Sequence, residues 1–267
     1  MSDVAVIIPA RYQSSRYPAK PLAPLTGATG KAKPLIQRSW ECAATIIDPS
    51  SIWIATDDDR IAQAVRGFGG QVVMTAESCA NGTERCADAI ARLGIEPGVV
   101  VNLQGDAPLT PVHVVTALVD ELRRRPDMAM ITPALRCAQS TYAHLVEDQA
   151  QGRVGGTTVV FGADRRALYF SKRVIPHLPP EQAALPFPPV HLHLGVYAYR
   201  PDALRRYVEL GVCELEQLEG LEQLRFLAGG IPVGVIAFDP IGWDAIELNN
   251  PSDVAPIEAI LKARGIE

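Results

Sequence analysis

Long apolar runs are missing from this 267-residue chain. No stretch approaches the roughly 18 residues that a membrane-crossing helix needs, and no signal-peptide pattern precedes Val4. The expectation is a cytoplasmic protein without a membrane partner. Cysteine is sparse: Cys42, Cys79, Cys86, Cys137 and Cys213 are odd in number and form no CxxC pair, which reads as reduced core thiols. The five histidines show no HxxxH or HExxH spacing, against a zinc site. Missing too are GxxxxGK[ST] and GxSxG, the marks of a P-loop ATPase and of a hydrolase elbow. "GFGG" (Gly67–Gly70) lacks GxGxxG spacing and follows a helical pattern, so a dinucleotide fold has no support. An excess of positive charge is also lacking. The net charge of −5 excludes broad polyanion binding, and no nucleic-acid partner is expected.

What is present is ordinary for a globular protein, 48% hydrophobic and 21% charged, and long enough to bury a sizeable core. The first half alternates two periods. "VAVIIPA" (Val4–Ala10), "SIWIATDDD" (Ser51–Asp59), "QVVMT" (Gln71–Thr75) and the start of "GVVVNLQGDAPLT" (Gly98–Thr110) read as buried strands. Between them, Pro34–Ile46, Asp59–Gly69 and Gly82–Gly94 read as helices, two with a Gly stop. Strands alternating with helices predict a mainly parallel sheet covered on both faces, with its ligand site at the carboxyl ends of the strands. In the second half, Thr157–Lys172 and Val190–Arg200 have β-like alternation and flank a Pro-rich connector. Leu215–Leu227 is amphipathic, Ile231–Asp239 is a last strand, and Asn250–Gly265 closes the chain as a helix. No low-complexity linker divides the chain, so residues 1–267 read as one α/β domain with a β-rich excursion near 150–215.

The acidic chain nevertheless sets Arg11, Arg16 and Lys20 in one loop after the first strand, with Ser14, Ser15 and two prolines. Three cations can simply line a solvated face. At the rim where α/β sheets bind anions, the same loop can hold a triphosphate and offset charge on a leaving pyrophosphate. Asp106 follows the strand ending at Leu103 and either caps a turn or binds Mg²⁺, an ion usually held by one or two carboxylates plus phosphate oxygens. Glu247 and Asn249 in "AIELNNPSD" are further oxygen donors for such a site.

"IIPARYQSSRYPAKPL", "IATDDDRIAQAVRGFGGQVVMT", "NGTERCADAI", "VVNLQGDAPLTP", "ALYFSKRVIP", "HLGVYAYRPDALRRYV" and "LEQLEGLEQLRFL" occur in this order over nearly the whole chain. Together they resemble the 3-deoxy-manno-octulosonate (Kdo) cytidylyltransferases. The resemblance implies a nucleotide-diphospho-sugar transferase fold, Rossmann-like, with a mixed, mainly parallel sheet flanked by helices. It implies a homodimer using the excursion near 150–215, Mg²⁺ as cofactor, and attack of an acidic acceptor on the α-phosphate of CTP with release of pyrophosphate. The nucleotide would meet Ala10, Arg11, Ser15, Arg16, Lys20, Asn81, Gly82, Thr83, Arg85 and Gln104, with Arg11, Lys20 and Asp106 catalytic. Asp106 and Asn249 would hold the metal. The acceptor would meet Gln104, Lys172, His193, Tyr197, Glu222 and Gln223.

The chain departs from the family pattern in five places. Ala107 replaces the acid of QGDEP, Lys172 replaces an arginine, and Asn249 replaces a metal-binding aspartate. "GGTTVV" (Gly155–Val160) has lost an Asn and a Lys, and the first loop is longer, with "GATGKAKP" in place of "GKP". Lys for Arg turns a planar fork into a point charge. These changes fall on the acceptor and metal side and leave three expectations: CMP transfer to Kdo or a Kdo-like sugar acid, the same transfer to a small phosphonate, or a non-catalytic nucleotide-binding relative.

Overall fold

The computed structural model describes residues 3–13, 17–240 and 247–267. Strand β1 (Val4–Ala10) leads through a small hairpin, β2 (Pro24–Thr26) and β3 (Ala32–Pro34), to helix α1 (Leu35–Ala44). Then come β4 (Ile52–Thr56), α2 (Asp59–Gly67), β5 (Gln71–Met74), α3 (Gly82–Leu93) and β6 (Val99–Leu103). These are the strand–helix alternations expected from the sequence, and local chemistry sets their ends. Asp58 caps α2 by accepting from the Arg60 N–H at 2.9 Å, and Asn81 caps α3 by accepting from the Glu84 N–H at 2.9 Å. Gly94 closes α3 in the left-handed conformation, φ 61°.

The stretch from 112 to 150 holds α4 (Val112–Arg124), β7 (Met130–Arg136) and α5 (Gln139–Ala150). Strands β8 (Thr158–Phe161) and β9 (Ala167–Ser171) form a hairpin. The Pro-rich connector contains one helical turn, α6 (Pro180–Ala183), before β10 (His191–His193) and β11 (Val196–Tyr199). Helix α7 (Pro201–Leu210) follows. The amphipathic segment Leu215–Leu227 is two helices, α8 (Glu214–Glu219) and α9 (Leu224–Ala228), because Gly220 takes φ 60° and ends the first. Strand β12 (Val233–Phe238) and helix α10 (Val254–Ala263) complete the chain.

The main sheet runs β5-β4-β1-β6-β11-β7-β10-β8-β9, with β12 pairing parallel to β7. Strands β5, β4, β1 and β6 are parallel, whereas β11 is inserted antiparallel between β6 and β7. The strands between residues 150 and 215 thus hydrogen-bond into the same sheet. Side-chain alternation along β1 divides the core. Val4, Val6 and Ile8 face α1, α2 and α4, while Ile7 joins Tyr197, Tyr199 and Phe226 on the opposite layer. Among the described residues no helix is long and apolar enough to cross a membrane.

One buried charge cluster ties these layers together. Arg225, 2% exposed, donates to Glu216 through Nε and Nη2, each at 2.7 Å, and lies 2.9 Å from Glu84 in the first turn of α3. Its guanidinium also stacks over Tyr207 at 4.0 Å. Arg225→Met would leave two carboxylates largely out of water with no counter-charge. The expected loss is about 3 kcal/mol of unfolding free energy, measured by urea denaturation, with Arg225→Lys losing less.

Candidate active site

The carboxyl ends of β1 and β6, the N-terminus of α3 and the segment before α10 enclose a cleft of ≈ 260 Å³. It is lined by Ala10, Arg11, Lys20, Asn81, Gly82, Arg85, Gln104, Asp106 and Asn249, all expected from the sequence, and also by Pro9, Pro21, Leu35, Cys79 and Gly105. Ser15 and Arg16 lie outside the described residues. The unforeseen residues are small or apolar wall groups with no motif of their own. Pro9, Pro21 and Gly105 stand inside recognised blocks, whereas Leu35 and Cys79 do not. A β-carbon at Gly105 would come within 2.7 Å of the Pro9 carbonyl, so only glycine lets the β6 loop close against β1.

Lys20 reaches the cleft because Ala19 adopts φ 59°, a left-handed conformation that costs a non-glycine residue about 1 kcal/mol. The Ala19 N–H bonds the Tyr12 carbonyl at 3.1 Å, which closes the loop and starts a single 3-10 turn at Lys20. Lys20 Nζ then lies 2.5 Å from Asp106 Oδ2, the two residues 86 positions apart. The loop cation and the strand-end carboxylate therefore occupy one point. Arg11 is exposed on the cleft wall and makes no ion pair among the described residues.

On the opposite wall, Arg85 is 3% exposed and donates to Thr75 Oγ1 at 2.6 Å and Asp57 Oδ2 at 3.0 Å. Its guanidinium is therefore fixed in position. The polar side chains of Asn81 and Thr83 point away from the cleft. Asn81 Nδ2 donates to the Tyr207 hydroxyl at 2.9 Å, and the Thr83 hydroxyl lies 2.8 Å from that of Tyr199. What this turn offers the cleft is backbone and the glycine surface of Gly82. Asn249 is held from behind. Its N–H bonds Asp253 Oδ2 at 2.9 Å, and its Nδ2 is 3.5 Å from Glu247 Oε2. The Leu248 N–H to Asp106 carbonyl bond, 2.9 Å, lays this segment against the Asp106 loop.

The residues expected at the acceptor form a buried polar chain leading inward from Gln104. Gln104 Nε2 is 3.5 Å from Glu222 Oε1, and Glu222 Oε2 accepts the Thr83 N–H at 2.9 Å. Burial pushes the Glu222 carboxyl up, and the Thr83 and Gly82 N–H groups at the α3 N-terminus oppose that shift. The Tyr197 hydroxyl donates to Gln223 Oε1 at 3.4 Å. His193 Nε2 lies 2.8 Å from Thr132 Oγ1 and its ring packs between Phe170 and Tyr197, so burial lowers its pKa to about 3 and it is neutral. Among the described residues no hydrogen bond joins Lys172 to this polar chain. Its backbone N–H bonds Glu219 Oε2 at 2.9 Å, and its Nζ would lie 2.7 Å from a β-carbon at Gly220.

For Mg²⁺ the donor set is one carboxylate, Asp106, and one carboxamide, Asn249, on the same cleft. That set fits an ion that takes few protein ligands and completes its shell with phosphate oxygens and water. No group of three or more His, Cys, Asp or Glu suited to a metal occurs among the described residues.

A mixed α/β sheet with three cations, a carboxylate and a helix N-terminus gathered at its carboxyl edge suits nucleotidyl transfer, and its similarity to known proteins makes the chain an enzyme of the nucleotidyltransferase class. More narrowly, the chain belongs to the cytidylyltransferase family, whose sequence pattern matches residues 5–233. It is 42% identical over 264 residues to a 3-deoxy-manno-octulosonate cytidylyltransferase of Maricaulis maris, covering 98% of both chains. It is 40% identical over 263 residues to an 8-amino-3,8-dideoxy-manno-octulosonate cytidylyltransferase of Shewanella piezotolerans, covering 97% of this chain and 98% of that one. Among solved structures, a CMP:2-keto-3-deoxy-manno-octonic acid synthetase complexed with CTP superposes with a TM-score of 0.82 at 32% identity. The match covers 98% of this chain and 100% of that one.

Proposed function

We propose that the protein transfers CMP from CTP to a 3-deoxy-octulosonic acid, either the parent sugar acid or its 8-amino analogue. The observation that carries the reading is the convergence of Arg11, Lys20 and Asp106 with the Gly82–Arg85 turn on one cleft, in a chain alike over nearly its full length to cytidylyltransferases named for these two acceptors. Nothing in these relatives supports the phosphonate acceptor, and that alternative is dropped.

In the reaction an acceptor hydroxyl oxygen forms a bond to the α-phosphorus of CTP. The bond from that phosphorus to the β-phosphate oxygen breaks, and pyrophosphate and one proton are released. Arg11 and Lys20 place positive charge where negative charge grows on the leaving pyrophosphate. Lys20 exchanges its Asp106 partner for a phosphate oxygen, which leaves that carboxylate for the metal. Asp106 and Asn249 would hold Mg²⁺, whose charge, when bound, neutralises phosphate oxygens. Arg85, fixed by Asp57 and Thr75, and the backbone of Asn81–Thr83 border the base, and a site that hydrogen-bonds its base rejects analogues lacking those groups. Glu222, Gln223, Tyr197 and His193 form the acceptor side, beyond Gln104. The protein would act as a homodimer, with Leu168, Val208, Val212, Leu215 and Leu218 supplying an exposed apolar surface from β9 to α8.

The test is pyrophosphate release with CTP, Mg²⁺ and a panel of acceptors. Release is expected with the octulosonic acids and with CTP alone among the four nucleoside triphosphates. Equal rates with ATP or GTP, or release only with non-sugar acids, would overturn the reading.

A further inference from the structure

Asn102 lies in β6 between Val101 and Leu103 and is fully buried, yet neither its Oδ1 nor its Nδ2 has a hydrogen-bond partner among the described residues. Gln223, 2% exposed, likewise leaves Nε2 unpartnered. Buried polar groups in native proteins are nearly always satisfied, and leaving one unpaired carries a large desolvation cost. Two such carboxamides beside one cleft point to a partner that arrives with the substrate.

Their position agrees with this. A β-carbon at Gly82, on the cleft wall, would lie 3.0 Å from Gln104 Nε2, 3.2 Å from Asn102 Nδ2 and 3.4 Å from Glu222 Oε1. Three polar groups thus converge at one cleft residue, and glycine is required there to make room for them. On the neighbouring strand Tyr197 stands directly opposite Asn102, its hydroxyl on Gln223.

The chemistry selects the ligand group. A carboxamide presents a donor and an acceptor side by side. Phosphate oxygens would satisfy Nδ2 and leave Oδ1 unpaired. Two neighbouring hydroxyls satisfy both, one accepting from Nδ2 while the other donates to Oδ1. We infer that Asn102 is a specificity-determining residue for the acceptor, its carboxamide pairing with a vicinal diol of the sugar acid at the buried end of the cleft. This rests on the sugar-acid reading above. Gln104, whose side chain is held among the described residues only by the 3.5 Å contact with Glu222, is the group that shifts to admit the diol.

The experiment uses the full chain and its Asn102→Leu variant, a near-isostere without polar atoms. The melting temperature should equal or exceed that of the wild type, because two unpaired polar atoms are removed. The KM for the sugar acid should rise by at least about tenfold while the KM for CTP stays within about twofold. The wild type should also discriminate against a deoxy acceptor lacking one hydroxyl of the diol, and the variant should not. An unchanged acceptor KM, or equal losses for acceptor and CTP, would overturn the inference. So would a lowered melting temperature with normal kinetics, which would make Asn102 a packing residue. Asn102→Ala keeps the measurement possible if the leucine does not fold. Failure of the sugar-acid reading shows in the wild type as no pyrophosphate release, whereas failure of this inference shows in the variant alone.

Discussion

Asp106→Asn is expected to lower turnover by at least about a thousandfold while leaving the protein folded, beyond the loss of a single neutral transition-state contact because it removes the one carboxylate that lines the cleft among the described residues. The folded state should tolerate the change. Asp106 and Lys20 are 21% and 16% exposed, so Lys20 keeps access to water when its partner is neutralised, and such a pair contributes only about 1 kcal/mol. A binding readout accompanies the kinetics. With Asn249 as a neutral second donor, Mg²⁺ titrated without nucleotide should bind weakly, and CTP should strengthen it through its phosphate oxygens. In Asp106→Asn the nucleotide-dependent gain should largely disappear. Full activity in the variant, or tight Mg²⁺ binding by the wild type without CTP, would show that the metal is held elsewhere.

Lys20→Ala is expected to lower kcat/KM by about a hundredfold or more, the scale of losing one preorganised charge at the transition state. Two opposing effects must be weighed. Alanine removes a cation from the polyphosphate, but it also releases Asp106 from a 2.5 Å ion pair that would otherwise compete with the metal. The first should dominate, because an ion pair in a partly exposed cleft is weak and is exchanged when the triphosphate arrives. Lys20→Arg should recover part of the loss. Near-normal turnover in a folded Lys20→Ala protein would return the loop to a merely solvated role.

The parallel half of the sheet could be read from the chain because its signals are local. The β-branched runs of β1, β4, β5 and β6, the caps Asp58 and Asn81, and Gly94 each act within a few residues. Helix α4 carries Val114, Val115, Leu118, Val119 and Leu122 on one face at helical spacing, and burial under β7 and β11 outweighs the β preference of its four valines. Gly220 was visible inside the amphipathic run, but helical periodicity on both sides hid the break.

The two halves of the site divide in the same way. Arg11, Gln104 and Asp106 follow strand ends, where topology brings them together, and Lys20 joins them through the left-handed turn at Ala19. The acceptor side depends on pairings across the chain, Thr83 with Glu222 and Tyr197 with Gln223, that no spacing encodes. Those residues come only from the family resemblance. Asn102 was in plain view as a polar residue inside an apolar strand. Its meaning needed the neighbours that leave it unpaired.

The most direct test of the central claim is phosphorus NMR of the protein incubated with CTP, Mg²⁺ and a 3-deoxy-octulosonic acid. The predicted result is loss of the three CTP resonances with equimolar growth of one phosphodiester signal, the CMP–sugar acid bond, and of pyrophosphate. Pyrophosphate appearing with free CMP in place of the diester, or an unchanged CTP spectrum, would contradict it.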